Sequence, residues 1–243
     1  MDISGRVAVV TGAGVRVGKA IALGLAQAGA DLFVHYGGSK DAAEDTASAA
    51  EALGVRTAIG SVDLSDPENA HEAIALAESA LGPVSLLVNN ASGFPVDTME
   101  DVEFDAWQRT IDLTLSSPVF VTKAFANRLP EDLDGSVVNV TDVKTMAPYR
   151  NHFSYIVARG GIDTFTRAAA LSLAPQIRVN AVALGLILPP ATQDSGYEEG
   201  LAARLTLAGV GGTEPVVDTV LFLMRNDFIT GEIVRVDGGG HLK

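Results

Sequence analysis

The feature that most constrains the fold is the regular alternation of short, apolar, β-branched runs with longer stretches of helical pattern. Seven runs are candidate strands, at residues 6–10, 31–36, 55–62, 84–89, 136–141, 177–182 and 232–236. Most of them are almost continuously apolar, which is typical of strands that are covered on both faces. The alternation predicts βαβ units. We therefore expect an α/β fold with a single Rossmann-type, doubly wound parallel sheet of about seven strands and helices on both faces.

Between these runs, apolar residues follow helical spacing. From Val17 to Leu25 they recur every four residues, which places them on one face of a helix. The pattern at 217–224 has Thr213 as a candidate cap and Pro215 in the first turn. Ligands of such a sheet bind beyond the carboxyl ends of its strands, so a motif gains weight when it directly follows a strand.

The organisation of the chain indicates one domain over residues 1–243, because no segment has the composition of a linker. Residues 184–212 are the least regular part, with Pro189, Pro190, several glycines and a short helical piece at 198–207. A loop this long in a compact domain is often a lid or substrate loop, and the alternative is a variable surface insertion.

Composition excludes several classes of protein. Hydrophobic residues make up 47% and charged residues 19%, which excludes a disordered chain. With 17 basic and 30 acidic residues the net charge is −13, so a general nucleic-acid binder is not expected. The absence of cysteine excludes disulfides and thiolate metal sites, and the four histidines show no ligand spacing. No basic-apolar leader and no apolar run of about 18 residues occurs, so we expect a cytoplasmic protein without a membrane partner.

A glycine-rich segment follows the first predicted strand. Residues 11–18 read TGAGVRVG, and a helical pattern comes next. Glycines let the backbone approach a pyrophosphate, and a helix N-terminus offers unpaired N–H groups and positive potential. The position after the first strand favours a dinucleotide site over a tight turn without a ligand.

The end of the second predicted strand bears on the choice between NAD and NADP. NAD-specific folds carry an acidic residue there that binds the ribose hydroxyls, whereas this chain has no acidic residue before Asp41. Ser39, Lys40 and Arg16 are candidates to receive the extra phosphate of NADP. We therefore expect NADP(H), with the alternative that Lys40 is a solvated residue of the next helix.

Six motifs occur in one order along the chain: the segment 11–18, Asp63-Leu64, Asn89-Asn90-Ala91, Tyr155, Arg178-Val179-Asn180 and Val236-Asp237-Gly238-Gly239. Together they resemble the short-chain dehydrogenase/reductase family over essentially the whole chain. The resemblance implies that Gly12, Val17 and Gly18 contact the cofactor, that Asp63 and Leu64 flank the adenine, and that Asn90 and Ala91 line the floor of the adenosine site. Without it, Asp63 is an ordinary strand-end carboxylate and the Asn pair a turn that satisfies its own backbone.

A narrower likeness rests on three departures from the usual family pattern. Arg16 and Ser92 stand where the family usually has Gly, and Asp142, thirteen residues before Tyr155, stands where it usually has Ser. With Phe94, these residues are similar to those of pteridine reductases. His35 and Tyr36, at the end of the second strand, add to the likeness.

By this resemblance, Arg16 and Ser92 contact phosphate and pterin, Phe94 forms an aromatic sandwich around the pterin with the nicotinamide, and Asp142 and Tyr155 supply protons. Each role has an alternative. Arg16 could be a surface charge, Phe94 could pack under the lid, and Asp142 could cap a turn. If Asp142 donates a proton, activity should increase at mildly acidic pH; burial would raise its pKa, and nearby arginines would lower it.

Three further positions depart from the family. Arg159 stands four residues after Tyr155, where the family has a Lys that lowers the Tyr pKa and binds the nicotinamide ribose. Arg keeps the charge on the same helix face but cannot release its proton. Thr114 replaces an Asn that organises a water and a helix kink, and Leu184 replaces a Pro. These changes bear on the rate of chemistry rather than on cofactor binding.

The sequence thus favours an NADPH-dependent reductase of a pterin-like or other small cyclic substrate, within one dinucleotide-binding and catalytic domain. One alternative is a carbonyl or 3-oxoacyl reductase of the same family. Another, motivated by Arg159 and Thr114, is a catalytically weak NADP-binding protein with a regulatory or scaffolding role. The resemblance also implies a homotetramer or dimer built through the long helices and the C-terminal strand.

Overall fold

The structure is a computed structural model that describes residues 1–189, 205–207 and 209–242. Most of the predicted substrate loop, including the greater part of the helical piece at 198–207, lies outside the described residues. Within the described part of the chain, no helix is long and apolar enough to cross a membrane.

All seven strands pair in parallel in one sheet, which confirms the predicted architecture. They are β1 (Val7–Val10), β2 (Asp31–Tyr36), β3 (Thr57–Ser61), β4 (Val84–Asn89), β5 (Gly135–Asp142), β6 (Ile177–Leu184) and β7 (Ile233–Val236). The strand order β3-β2-β1-β4-β5-β6-β7 reverses direction between β1 and β4. Such a reversal opens a crevice at the carboxyl edge of the sheet, where ligands of this fold class bind.

Seven helices cover the two faces of the sheet in the described residues. They are α1 (Arg16–Gln27), α2 (Lys40–Glu51), α3 (Glu72–Leu81), α4 (Phe104–Ile111), α5 (Ser117–Arg128), α6 (Phe153–Leu173) and α7 (Glu214–Arg225). A π-helical turn over Asp112–Ser116 joins α4 to α5. Pro215 lies in the first turn of α7 and Thr213 occupies its N-cap position, both as predicted, although the Thr213 side chain makes no hydrogen bond to the helix.

Two apolar cores lie on opposite faces of the sheet. On one face, α1, α2 and α7 bury residues such as Leu25, Ala47 and Leu223 against the strands. On the other, α3, α5 and α6 do so with residues that include Ile74 and Phe125. Because both faces are covered, the strands are apolar almost throughout, which is why their pattern could be recognised in the sequence.

The Arg178-Val179-Asn180 motif holds the C-terminal part of the fold together. The Arg178 guanidinium donates to the carbonyl oxygens of Leu223 and Met224, at the end of α7, at 2.8 and 2.6 Å. The Asn180 amide donates to the Ile229 carbonyl at 2.9 Å and accepts from the Glu232 N–H at 3.0 Å. This motif therefore stabilises the fold at some distance from the crevice.

Candidate active site

The glycine-rich segment 11–18 lies between the end of β1 and the start of α1, at the crevice. Gly12 has φ +65°, a left-handed conformation that favours glycine. A Cβ on Gly18 would overlap the carbonyl oxygen of Gly12 and the Asn90 amide. The first turn of α1 carries no acidic residue. This close backbone approach and the free helix N-terminus fit a pyrophosphate.

The end of β4 is tied to this segment by hydrogen bonds. The Asn90 side chain donates to the carbonyl oxygens of Thr11 and Gly12 at 2.9 and 3.2 Å. The Thr11 hydroxyl accepts from the N–H groups of Asn90 and Ala91 at 2.9 and 3.0 Å. The Asn side chain therefore joins two strand ends, and the alternative of a self-contained turn is wrong.

The candidate residues for the adenosine half follow β2 and β3. Asp63 accepts from the N–H and hydroxyl of Ser65, and these bonds hold the pKa of its carboxyl below the ordinary value. Leu64 is buried. Ser39 and Lys40 are exposed, and Lys40 lies 3.4 Å from Glu44, one turn along α2. The ion pair with Glu44 matches the alternative in which Lys40 is a solvated residue of α2. The Lys40 ammonium is also exposed, as a residue that receives a phosphate must be.

Arg16 is the first residue of α1, with a left-handed φ of +52°. Its side chain is exposed and reaches across the crevice, where the guanidinium donates to the carbonyl oxygen of Pro189 at 2.8 Å. Arg16 therefore connects the glycine-rich segment to the start of the predicted substrate loop, which an isolated surface charge would not do.

Asp142 and Tyr155 form a buried pair. Asp142 ends β5 and Tyr155 lies in the first turn of α6; their side chains are 7% and 8% exposed. The Tyr155 hydroxyl donates to Asp142 Oδ2 at 3.0 Å. Asp142 Oδ1 accepts from the Lys144 N–H at 2.7 Å, so the same carboxyl also caps the short helical turn Val143–Thr145. The structure therefore confirms the turn cap and places the Asp142 carboxyl against the Tyr155 hydroxyl.

Burial controls the protonation of this pair. It raises the pKa of Asp142 above the ordinary value, although the Lys144 N–H, the Tyr155 hydroxyl and the Arg159 charge oppose the shift. Burial also raises the pKa of Tyr155 to about 12, against the lowering effect of Arg159. The sequence left open which influence dominates, and the structure shows that burial outweighs the nearby positive charge.

Arg159 follows Tyr155 by one turn of α6, and its side chain is buried. Its guanidinium donates through Nη1 to the carbonyl oxygen of Val140, and its Cζ lies 5.2 Å from the centre of the Tyr155 ring. Its Nε is buried and has no hydrogen-bond partner among the described residues. The cation thus lies beside the phenol and is anchored to β5.

Thr114 occupies the middle of the π-helical turn and is fully buried. Its hydroxyl is 3.4 Å from that of Ser92, which is exposed at the crevice. A break in the regular helix is therefore present here even though Thr replaces the usual Asn.

Phe94 lies in a cluster of aromatic rings at the mouth of the crevice and is 56% exposed. His152 stacks on its ring with a centroid distance of 3.7 Å and an interplanar angle of 17°. Tyr155 and Tyr149 meet it edge-on at 4.8 and 6.2 Å. A partly exposed aromatic ring with one face already covered can receive a flat ligand on the other.

Asp97 holds the Phe94 loop against the start of α6. Its buried carboxylate accepts from the Ser154 N–H at 3.2 Å and from the Ser154 hydroxyl. His152 Nδ1 lies 2.6 Å from the Pro95 carbonyl oxygen, and its backbone is left-handed. Because Ser154 precedes Tyr155, these bonds fix Phe94 relative to the Tyr155 phenol.

The comparisons with known proteins agree with this geometry. A family model described as Enoyl-(Acyl carrier protein) reductase matches residues 12–241. The chain belongs to the short-chain dehydrogenase/reductase family. L-xylulose reductase from Bos taurus is 34% identical, with 98% of each chain covered. The 3-oxoacyl-(acyl-carrier-protein) reductase from a Synechocystis strain is 33% identical, with 98% of this chain and 97% of that protein covered.

One solved member of the short-chain family is described as FolM alternative dihydrofolate reductase 1 from Brucella canis, complexed with NADP. It is 33% identical, has a TM-score of 0.95, and is matched over 100% of this chain and 96% of that one. Membership of this family makes the chain an NAD(P)-dependent oxidoreductase.

Among the residues proposed from the sequence, the structure brings together Phe94, Asp142, Tyr155 and Arg159, whereas the Ser92 hydroxyl approaches that of Thr114. Sequence reasoning missed four residues that hold the Phe94 loop and its ring against α6: Asp97, Tyr149, His152 and Ser154. A signal was present for three of them, because Tyr149, His152 and Ser154 lie in a stretch of aromatic and polar residues just before Tyr155. Asp97 gave no signal, because its bond to Ser154 spans 57 residues.

Proposed function

We propose that the chain is an NADPH-dependent reductase whose substrate is a dihydropterin or another small, flat heterocycle. The observation that carries this proposal is the buried Asp142–Tyr155 pair, with its raised carboxyl pKa, next to the exposed ring of Phe94. A carboxyl whose pKa is raised binds its proton more tightly, which suits it to deliver that proton to a ring nitrogen in mildly acidic solution. The likeness to the Brucella canis protein supports the same substrate class.

The cofactor in this proposal is NADP(H). The residues that would hold it are Gly12, Arg16, Val17, Gly18, Ser39, Lys40, Asp63, Leu64, Asn90, Ala91, Ser92, Tyr155 and Arg159. When bound, it supplies the hydride. The absence of an acidic residue at the end of β2, with Arg16 in the segment after β1 and with Ser39 and Lys40 after β2, favours the phosphorylated cofactor.

The side chains of this site have separable tasks. Phe94 orients the flat substrate, and stacking contributes about 0.5–1.5 kcal/mol beyond the burial of area. Arg16 and Ser92 offer hydrogen-bond donors at the rim of the crevice. The Asp142 carboxyl holds the proton that the substrate needs, and the Tyr155 hydroxyl, 3.0 Å from Oδ2, is the second proton carrier.

A carbonyl or 3-oxoacyl reductase is the second candidate function. The names of the Bos taurus and Synechocystis relatives favour it, and so does the retained Tyr155, since a phenol can protonate a carbonyl oxygen. A catalytically weak NADP-binding protein is the third. The bond from Arg159 to Val140 favours it, because that bond commits one guanidinium donor to the backbone of β5.

The experiment follows NADPH oxidation with 7,8-dihydrobiopterin, comparing the wild type with Tyr155→Phe from mildly acidic to neutral pH. We expect turnover that rises as the pH falls and decreases at least about 100-fold in the variant. Oxidation with an oxoacyl thioester but not with the pterin would establish the second candidate. NADPH binding without turnover of either substrate would establish the third.

We further propose how the protein is organised. Residues 1–243 form one dinucleotide-binding and catalytic domain, with 184–212 as its substrate loop. The bond between Arg16 and Pro189 supports this role, because it brings the start of the loop to the cofactor side of the crevice. We also propose a homotetramer or dimer in the cytoplasm, with no nucleic-acid or membrane partner, in accord with the acidic composition.

A further inference from the structure

His35 is a buried histidine that the proposed mechanism does not use. It lies near the end of β2, is 2% exposed, and has both ring nitrogens in hydrogen bonds to the backbone. A polar ring in the core of a sheet is costly to bury unless its nitrogens are satisfied, so its partners indicate its purpose.

The partners of His35 belong to two different parts of the crevice. Its Nδ1 accepts from the N–H of Gly12, in the glycine-rich segment, at 3.2 Å. Its Nε2 donates to the carbonyl oxygen of Val62 at 2.9 Å, immediately before Asp63 and Leu64. In addition, the His35 carbonyl oxygen accepts from the N–H of Ala13 at 2.9 Å. One residue therefore joins the glycine-rich segment to the strand end that precedes the adenine side.

These contacts admit a single form of the imidazole. The N–H of Gly12 is a donor, so Nδ1 must accept; the Val62 oxygen is an acceptor, so Nε2 must carry the hydrogen. In an imidazolium, Nδ1 would also carry a hydrogen, and that N–H would point at the N–H of Gly12 instead of accepting from it. Burial lowers the pKa of His35 below its ordinary value, which keeps the ring neutral.

We propose that His35 is a cofactor-positioning residue that fixes the Gly12 amide and thereby sets the affinity for the adenosine half of the cofactor. This inference rests on the NADP(H) assignment of the proposed function. Gly12 is held on its other side by the Asn90 amide, which donates to its carbonyl oxygen. His35 and Asn90 thus hold the two faces of one peptide segment, and His35 alone also reaches the end of β3.

Two amide variants separate the bond to Gly12 from the bond to Val62. Asn at position 35 places a side-chain oxygen near the position of Nδ1, so His35→Asn keeps an acceptor for Gly12. Gln places its amide near the position of Nε2, so His35→Gln keeps a donor for Val62 and loses the acceptor. Both variants introduce a neutral amide side chain, and each loses one of the two side-chain hydrogen bonds of His35.

The measurement is calorimetric titration of the cofactor-free protein with 2′,5′-ADP, together with the melting temperature. We expect His35→Asn to bind within about twofold of the wild type and His35→Gln to bind about fivefold to tenfold more weakly, as for one lost hydrogen bond. Both variants should lose a similar amount of melting temperature. If His35 had a purely structural role, the two variants would lose 2′,5′-ADP affinity in proportion to their loss of melting temperature, and therefore to a similar extent.

Asn180 supplies a matched control. It is also fully buried and bridges one backbone donor and one backbone acceptor, Glu232 and Ile229, away from the crevice. Asn180→Leu should lower the melting temperature and leave 2′,5′-ADP affinity within about twofold.

Three outcomes would overturn the inference. Equal 2′,5′-ADP affinity of the two His35 variants would refute the positioning role while leaving the cofactor assignment intact. A loss of affinity in Asn180→Leu as large as that in His35→Gln would do the same. A wild-type protein that fails to bind 2′,5′-ADP would refute the NADP(H) assignment and the role of His35 with it.

Discussion

At the scale of single residues, the carboxyl of Asp142 is the group whose environment matters most. It is buried beside a phenol, and its pKa is raised because burial outweighs the positive charge of Arg159. The folded protein therefore binds this proton more tightly than the unfolded chain. The resulting stabilisation is present at pH values below the ordinary pKa and is lost as the pH rises through the folded pKa.

We therefore predict that Asp142→Asn raises the melting temperature of the cofactor-free protein at neutral pH, by roughly 2–4 °C for each kcal/mol of relieved charge burial. The gain should shrink towards about pH 4, where the wild-type carboxyl is protonated. Scanning calorimetry over this range is the measurement. Asp63→Asn is the control of opposite sign, because hydrogen bonds to Ser65 lower that pKa. A constant difference at all pH values would contradict the prediction.

Arg159 supplies the charge that opposes the rise in the Tyr155 pKa. We predict that Arg159→Gln lowers kcat about 100-fold, since the phenol then exchanges its proton less readily near neutrality. Arg159→Lys keeps the charge and should retain at least about a tenth of the wild-type kcat. Steady-state NADPH oxidation at saturating cofactor measures both. Wild-type turnover in the Gln variant would show that the charge does not assist the Tyr.

The candidate site could be predicted from the sequence where contacts are local or follow a fixed spacing. Asp142 and Tyr155 are thirteen residues apart, and their contact joins a strand end to the next helix. The balance of burial and charge at Asp142 could not be predicted, because it depends on packing from several elements. The role of His35 was hidden for the same reason: its partners Gly12 and Val62 come from two other strand ends.

At the scale of elements, the sequence predicted all seven strands but placed the ends of two of them too early. β5 and β6 run on to Asp142 and Leu184, which lie in register with each other. The apolar pattern stops before Asp142 because that position carries a polar residue of the site. The end of β5 therefore departs from the core pattern where the chain places a candidate functional side chain, whereas β6 ends in the apolar Ala183 and Leu184.

The meeting of β1 and α1 gives a prediction at this scale. A Cβ on Gly18 would collide with the Gly12 carbonyl and the Asn90 amide, so Gly18→Ala must displace the glycine-rich segment. We expect 2′,5′-ADP affinity to fall at least about tenfold. Gly160→Ala in α6 is the matched control, because a Cβ there meets nothing within 4 Å. It should leave affinity unchanged and raise stability by about 0.5–1 kcal/mol. Unchanged 2′,5′-ADP affinity in Gly18→Ala would show that the glycine-rich segment can shift without loss of binding.

At the scale of the whole molecule, large apolar side chains remain exposed on the helices. Phe104 and Phe120 project from α4 and α5, and Phe222 and Phe228 lie on and just after α7. Scattered apolar residues are normal on a monomer, but several large ones on one surface mark an interface. α5 and α7 pack on opposite faces of the sheet, so they offer two separate candidate surfaces, as a tetramer of paired dimers requires.

We therefore predict a particle with a mass near four times the 25.2 kDa of one chain. Phe120→Glu and Phe222→Glu should each reduce it to a dimer, because an unpaired charge is costly to bury in an apolar contact. Leu53→Glu, at an exposed apolar residue just after α2, is the control and should leave the mass unchanged. Sedimentation velocity measures all four proteins. A wild type that sediments as one species near 25.2 kDa would assign these phenylalanines to the surface of a monomer.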